Sequence, residues 1–124
     1  MTRSFLFTAL VLATPAAAQT QAQMNRAAVT AYQTADAAMA RQWQRTYAAM
    51  KRRDAQDTSR GGGFGYAAGL LASQRAWLAF RDAQCVVEGG EFARGSLQAT
   101  TQTRCKIRLT GERRTQLAQL LWNR

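Results

Sequence analysis

The longest uninterrupted helical signal in the chain runs from Gln21 to Arg53, a stretch without glycine or proline. It is rich in Ala, Gln, Arg and Met, all of which favour an α-helix. Its large apolar residues recur at intervals of seven, four and seven along one side: Tyr32, Met39, Trp43 and Met50. An amphipathic helix of this length must bury that side against partner helices, so the stretch predicts a helical bundle or hairpin.

A glycine-rich break follows this helix at Gly61–Gly65, after a polar stretch that begins at Asp54. Such a segment lets the chain reverse direction, and the sequence leaves open whether it is a tight turn or a mobile hinge. A phosphate-binding loop would need a Lys-Ser/Thr pair and a preceding strand, and the sequence offers neither.

A second helix is predicted from about Tyr66 to Val87, and Gly89-Gly90 ends it. Its inward-facing candidates are Leu70, Leu71, Trp77, Leu78 and Cys85. Arg81 lies one turn beyond Trp77, so its planar guanidinium can stack on the ring, while Asp82 is close enough to hydrogen-bond outward. These residues are predicted to be mainly structural, because a buried Trp with a stacked Arg fixes how the helices meet.

The segment from Glu91 to Arg104 has no helical period and is predicted to be part of an irregular loop that runs from Glu88 to Arg104. A third helix is predicted from about Lys106 to Trp122, with Gly111 weakening its middle. Either one helix continues through Gly111 or a new one starts with Thr110 as its N-cap. The predicted fold is therefore all-α: a small bundle of about three helices, made of a long helical hairpin plus a C-terminal helix, with a tethered loop.

The N-terminus has the pattern of a Sec-type secretory signal peptide. Arg3 precedes the apolar run from Phe5 to Ala13, and Ala16–Ala18 offer an A-x-A site with cleavage expected after Ala18. The alternative is a short membrane anchor, but the run is too brief to cross roughly 30 Å of hydrocarbon comfortably. Residues 1–18 are thus predicted to be a leader, and residues 19–124 one periplasmic or secreted domain without a later transmembrane segment.

Cys85 and Cys105 are the only two cysteines in the chain. In an exported protein they are predicted to form an intramolecular disulfide, which would close a loop of 20 residues. The chain-entropy model gives such a crosslink about 3 kcal/mol of stabilisation. Free thiols and an intermolecular bridge are the alternatives.

The charge balance is strongly basic, with a formal net charge of +10 that becomes +9 when Arg3 is removed with the leader. Such a field attracts anionic lipid, acidic glycans or nucleic acid. This favours, as an alternative function, a basic module that binds an envelope polyanion. The residues on which that hypothesis rests are Lys51, Arg52, Arg53, Arg104, Lys106, Arg108, Arg113 and Arg114.

The residue types of common catalytic and metal sites are scarce in this chain. It has no histidine, and two cysteines joined in a disulfide cannot ligate a metal. Glu88 and Glu91 are close enough in sequence to suggest a glycosidase pair, but they flank a Gly-Gly turn, where solvation of a helix end explains them more simply. No enzyme, metal or cofactor is predicted.

Several features of the chain, taken together, resemble a known family. The residues that carry the resemblance are Gln21, Met24, Asn25, Tyr32, Ala35, Asp36, Tyr47, the block SQRAWLAFRDAQC at residues 73–85, Gly89, Gly90, Gly95, Ser96, Cys105 and the closing RLTGERRTQLAQLL at residues 108–121. They are similar to the lysozyme-inhibitor LprI-like family of small exported bacterial proteins. The resemblance is strongest at a set that we treat as family-motif and structural residues: Arg75, Trp77, Arg81, Asp82, Cys85, Cys105 and Thr110.

The resemblance implies a helical domain of the cell envelope and, for the member that names the family, binding and inhibition of lysozyme. The partner is then a protein, with lysozyme as the named candidate, or an envelope polyanion; the oligomeric state is left open. Recognition is expected in the loop that follows the second helix, because loops held by a rigid scaffold most often carry it. The candidate partner-binding residues are Glu88, Glu91, Phe92, Arg94 and Ser96.

The chain departs from the family pattern in two ways. Members usually carry a further cysteine pair near the N-terminus, and Ala27 stands at one of those positions here. The front of the first helix is therefore expected to fray more readily. C-type lysozymes are strongly basic, so a chain of +9 is expected to associate with them slowly and to favour acidic or other targets.

Overall fold

The computed structural model describes residues 16–59, 61 and 63–122, and within these ranges it contains helices and no strands. The helices are α1 (Ala16–Gln56), α2 (Tyr66–Gly89) and α3 (Gln98–Gln119), with one 3₁₀ turn at Gly90–Phe92. The predicted all-α fold of three helices is confirmed. Residues 1–15 of the predicted leader lie outside the described residues.

The three helices form an up-down-up bundle. In the antiparallel α1–α2 hairpin, the Gln74 amide of α2 reaches the sulfur of Met39 on α1 at 3.3 Å. α3 returns parallel to α1, because Gln21 donates to the Thr100 hydroxyl at one end and Thr46 donates to the Leu117 carbonyl, at 2.9 Å, towards the other. The third helix also contacts α2, because Arg113 of α3 donates to Gln74 at 2.9 Å, and it therefore packs against both arms of the hairpin.

The core consists of two neighbouring clusters. The first contains Met39, Met50, Leu70 and Leu117, and the second contains Cys85, Cys105 and Leu109. Trp77 is half-buried and packs against both clusters. Two of the four predicted large residues of α1, Met39 and Met50, are buried, and the other two are half-buried.

One inward candidate on α2 was wrong, because Leu78 is 36% exposed. The buried side of α2 is defined by Leu70, Gln74, Arg81 and Cys85. Leu78 lies about 100° around the helix from Trp77 and falls at the margin of that side.

The predicted boundaries of the loop and of the third helix were also wrong. Glu88 lies in the last turn of α2, and α3 begins at Gln98 instead of near Lys106. The hydrophobic pattern hid the first turns of α3 because a threonine, Thr100, occupies the buried position there. Thr110 is not an N-cap, since α3 continues through it and through the exposed Gly111.

The turn between α1 and α2 is organised by an aspartate at the end of α1. Asp54 accepts hydrogen bonds from the backbone N–H groups of Gly65 at 3.0 Å, Tyr66 at 2.8 Å and Ala67 at 2.9 Å. These are unpaired donors at the start of α2, where the helix dipole also favours a negative charge. Gly65, which occupies the N-cap position, has no side chain and a φ of 90°. Asp54 therefore supplies the cap from the neighbouring helix.

Replacing Asp54 with asparagine is expected to lower the melting temperature and to remove a pH dependence. The Ala67 N–H, followed by those of Tyr66 and Gly65, holds the pKa of Asp54 below its ordinary value of 3.8. A lowered folded-state pKa means that this stabilisation is present above the unfolded-state pKa and is lost as the pH falls through the folded-state value. Thermal melts of both proteins between about pH 2 and pH 7 should therefore converge at the acid end.

Glu91→Gln is the matched control, because Glu91 is exposed and contacts none of these N–H groups. It should leave the melting curve at neutral pH unchanged. A constant gap between Asp54→Asn and the wild type across the whole pH range would contradict a role for the charge.

Candidate functional site

A buried arginine joins α1 and α2 near the middle of the bundle. The Arg81 side chain is 7% exposed; its Nε donates to Asp82 at 3.0 Å and one terminal nitrogen donates to Asp36 at 3.4 Å. Its guanidinium carbon lies 5.2 Å from the centre of the Trp77 ring and 5.5 Å from that of Tyr32. We call these five residues the Arg81 cluster. The stack on Trp77 lies where the sequence spacing predicts it.

The charges of the Arg81 cluster are satisfied within the bundle. Lys106 of α3 lies 3.7 Å from Asp82, so two cations balance the two carboxylates. Burial raises the pKa of Tyr32 above its ordinary value of 10.0 against an opposing effect of Arg81, and the phenol is therefore neutral at physiological pH. A neutral phenol and paired charges fix the helix packing and leave no free acid or base at this position.

A second arginine, Arg113 of α3, is also buried. Its side chain donates to Gln74 at 2.9 Å, to Ser73 at 2.9 Å and to Gln116 at 3.3 Å, and the Trp77 ring lies 5.9 Å away. Burial lowers the pKa of this guanidinium. The prediction that Arg113 belongs to a polyanion-binding surface was therefore wrong. Arg113 lies four residues after Leu109 and four before Leu117, and this helical spacing was the sequence signal for its burial.

The other basic residues of the polyanion hypothesis are spread over both ends of the bundle. Lys51 and Arg52 are exposed near the end of α1, whereas Arg104 is exposed near the start of α3, at the opposite end of the bundle. Arg108 is held by Glu88 at 2.7 Å and by Glu112 at 3.4 Å. The described part of the chain therefore does not gather these cations into one patch.

Thr110 is fully buried in the middle of α3, and its hydroxyl oxygen has no hydrogen-bond partner. A buried polar group without a partner loses its hydration without compensation. The Thr110 hydroxyl, although part of the predicted family motif, is therefore expected to lower the stability of the folded chain.

Replacing Thr110 with valine, which has nearly the same shape, is expected to raise the free energy of unfolding by about 1 kcal/mol. Thr46→Val is the matched control, because Thr46 is equally buried but donates to the Leu117 carbonyl and accepts from Gln42. That variant should lose about 1–2 kcal/mol in chemical denaturation. A loss of stability in Thr110→Val similar to that of the control would show that the hydroxyl has a partner.

The predicted partner-binding residues lie on and beside a short connection, residues 90–97, which we call the connecting turn. Glu91 and Phe92 belong to the 3₁₀ turn, and Arg94 and Ser96 follow it. Glu91, Arg94 and Ser96 are exposed, and Phe92 is half-buried. The fifth residue, Glu88, lies outside the turn on α2 and is paired with Arg108, whose hydrogen bond lowers the pKa of Glu88.

The backbone of the connecting turn is held in one unusual conformation. Arg94 has a φ of 67°, in the left-handed region that non-glycine residues rarely adopt, and its N–H donates to the Gln98 side chain at 3.2 Å. A left-handed residue costs about 1–2 kcal/mol, so the surrounding contacts must impose it.

The disulfide joins the two helices that the connecting turn links. Cys85 on α2 and Cys105 on α3 are bonded, with their Cα atoms 5.4 Å apart, and both are buried. The predicted intramolecular disulfide is confirmed. Because each cysteine is within a helix, the bond joins the two helices themselves.

Arg75 differs from the other family-motif residues. It is exposed on the outward side of α2 and does not contact the Arg81 cluster. The structure therefore brings together Trp77, Arg81 and Asp82 and leaves Arg75 apart.

The described residues form no evident reaction centre. A groove of about 420 Å³ lies between α1 and α3, and its lining residues are Ala31, Thr34, Ala35, Ala38, Ile107, Gly111 and Arg114. Its lining offers one cation and no carboxylate or thiol. Among the described residues, no three His, Cys, Asp or Glu side chains are close enough to hold a metal ion. None of the described helices combines the length and apolarity needed to cross a membrane.

A helical bundle tied by one disulfide and organised around a buried arginine–aromatic cluster is the class of protein that these observations define. The chain belongs to the LprI family: the family model described as lysozyme inhibitor LprI matches residues 13–117. It is also 31% identical over 108 residues to the uncharacterized protein R02472 of Rhizobium meliloti (strain 1021), a match that covers 84% of this chain and 76% of the relative. No solved structure matches the chain.

Proposed function

We propose that this chain is an exported, non-enzymatic binding protein that acts as a lysozyme inhibitor. The observation that carries the proposal is the match to the lysozyme inhibitor LprI family over residues 13–117. Export is supported by the N-terminal sequence pattern of Arg3, an apolar run and an A-x-A site. A binding role without catalysis is consistent with a bundle whose buried charges are engaged in holding its helices together.

The connecting turn is the surface proposed to meet the partner. It links α2 and α3, and the Cys85–Cys105 bond also joins these two helices. A recognition segment that is already ordered loses less conformational entropy on binding than a flexible one. Arg94 contributes to that order through its fixed left-handed backbone.

The side chains available on this surface are Glu91, Arg94 and Ser96, which are all exposed. Glu88 is not available as an acidic contact, because it is paired with Arg108 at 2.7 Å. Glu91 is therefore the acid proposed to approach a cationic group of the partner.

The net charge sets which lysozymes are expected to bind well. A mature chain of +9 is repelled by a basic enzyme at long range, which slows association and leaves the contacts at the interface unchanged. Inhibition is expected to be strongest toward lysozymes of low net charge and to improve for basic lysozymes as salt is raised.

The test is to titrate purified residues 19–124 into lysozymes of several classes and net charges, measuring cell-wall lysis and complex stoichiometry. A 1:1 complex with inhibition in the micromolar range is expected for at least one class. Glu91→Lys should weaken inhibition about tenfold. Glu112→Lys makes the same charge change at an exposed position on α3 and should change inhibition less than about threefold.

If every class of lysozyme kept its full activity at micromolar concentrations of residues 19–124, the proposed inhibition would be contradicted. Equal effects of Glu91→Lys and Glu112→Lys on inhibition would mean that the connecting turn is not part of the interface. Retention on heparin or anionic vesicles that weakens steeply with salt, without a stoichiometric protein complex, would instead favour the polyanion-binding alternative.

A further inference from the structure

The outward side of α2 is apolar although it faces solvent. Phe80 is 52% exposed, Val86 61% and Val87 72%. Alanines fill the surface between these larger side chains. We call this surface the α2 outer face, and its members are Ala72, Ala76, Ala79, Phe80, Ala83, Val86 and Val87, all exposed.

The charge of α2 sets it apart from the other two helices. It contains two basic and two acidic residues, whereas α1 and α3 each have an excess of basic ones. Of its four charged residues, Arg81 is buried and Glu88 is paired with Arg108. The two that border the α2 outer face are Arg75 and Asp82, one of each sign.

We propose that the α2 outer face binds a second copy of this chain, with the two α2 helices antiparallel about a two-fold axis between Ala79 and Phe80. Two chains of +9 repel one another through their basic helices and can approach closely only through a surface without net charge. The α2 outer face meets that condition. This inference does not depend on the proposed function.

The antiparallel register places the alanines along the centre of the contact and the larger side chains towards its edges. Around an axis between Ala79 and Phe80, Ala72 lies level with the partner's Val87, and Ala76 lies level with the partner's Ala83. Phe80 lies beside the partner's Phe80 at one edge. The small side chains at the centre allow two helices to approach within about 8–10 Å.

The same register is complementary in charge. Arg75 and Asp82 are seven residues apart, so both lie on the same edge of the α2 outer face. A two-fold axis perpendicular to the plane of the paired helices brings like edges together. Measured along the helix axis, Arg75 then lies about 3 Å from the level of the partner's Asp82. The Asp82 side chain is 54% exposed and can accept this third cation beside Arg81 and Lys106, giving two symmetric ion pairs between the copies.

The size of the face determines the strength expected. From Ala72 to Val87 it is about 23 Å long, and a helix surface is roughly 10 Å wide. The buried area is therefore below that of a standard stable interface, and the dimer is expected to be weak, with a Kd on the order of 10–100 µM.

Sedimentation equilibrium of residues 19–124, with the disulfide intact, tests the proposal from about 5 µM to 1 mM. The wild type is expected to pass from monomer to dimer across this range. Phe80→Glu should abolish the dimer, and Arg75→Glu should weaken it at least tenfold. Arg45→Glu is the matched control: it makes the same charge change at an exposed position on α1, and by lowering the net charge it should leave dimerisation equal or slightly stronger.

Oxidative crosslinking of single cysteine variants tests the orientation. Ala79→Cys should crosslink readily, because the two positions lie close to the axis, whereas Ala72→Cys should not, because its copies are about 22 Å apart. Equal crosslinking at both positions would contradict the antiparallel register. A monomer at all concentrations would overturn the proposal, as would a monomer that binds anionic vesicles through Phe80, which would assign the face to lipid.

Discussion

Replacing Trp77 with alanine is expected to lower the free energy of unfolding by about 3 kcal/mol, measured by chemical denaturation of residues 19–124. The indole packs against both clusters of the core and contacts the guanidinium groups of Arg81 and Arg113. Its removal leaves a cavity where the three helices meet, and the guanidinium groups of Arg81 and Arg113 lose the ring that they pack against. The value is at the lower end for a tryptophan because the side chain is only half-buried.

The control for this prediction is Phe80→Ala, which removes a large aromatic side chain from the same helix but from its 52% exposed outward side. At low micromolar concentration, where the chain is monomeric, this variant should remain within about 0.5 kcal/mol of the wild type. Trp77→Phe, which retains a ring for the arginines, should lose less than Trp77→Ala. Equal stabilities of Trp77→Ala and Phe80→Ala would mean that the core is not organised around the indole.

Replacing both cysteines with alanine is expected to cost about 3 kcal/mol, because the bond closes a loop of 20 residues in the unfolded chain. The double substitution Cys85→Ala with Cys105→Ala leaves no free thiol. It should also free the connecting turn, so that its backbone amides exchange with solvent faster while those at the α1–α2 hinge do not change.

The wild type in reductant is the comparison that separates the crosslink from the change of side chain. Reduced wild type and the alanine variant should lose similar amounts of stability if the crosslink dominates. A loss of less than about 1 kcal/mol in both would mean that the unfolded chain is already compact between the two positions.

The parts of the fold that could be predicted from sequence are those with a repeating local pattern. The absence of glycine and proline in α1, together with large apolar residues on one side, was enough to predict that helix. The stack of Arg81 on Trp77 followed from a spacing of four residues within one helix. The pairing of Cys85 with Cys105 followed from there being two cysteines in a chain with a leader-like N-terminus.

The parts that could not be predicted depend on contacts between helices. The start of α3 was missed because the buried Thr100 is polar and interrupts the apolar pattern. Asp54 was missed as a cap because it lies 11 to 13 residues before the N–H groups it accepts, whereas a usual capping residue is adjacent to its helix. Arg113 was assigned to a polyanion-binding surface because the sequence does not show that Gln74 and Ser73 accept its hydrogen bonds.

The partner-binding residues were predicted as one loop, and the structure divides them. Glu88 belongs to a helix and an ion pair, while Glu91 and Arg94 are exposed on the connecting turn. The difference arose from the missing helical period between residues 91 and 104, which made the loop seem longer than it is. A shorter connection presents fewer side chains but holds them more firmly.

The burial of the Cys85–Cys105 bond has a kinetic consequence. Cys85 is 0% exposed and Cys105 3% exposed, so an external thiolate cannot reach either sulfur while α2 and α3 remain in contact. Reduction must wait for these helices to separate, and under excess reductant its rate then equals the rate of that separation. The native protein should therefore keep its crosslink through transient exposure to thiols, and loss of the bond should report how often the bundle opens.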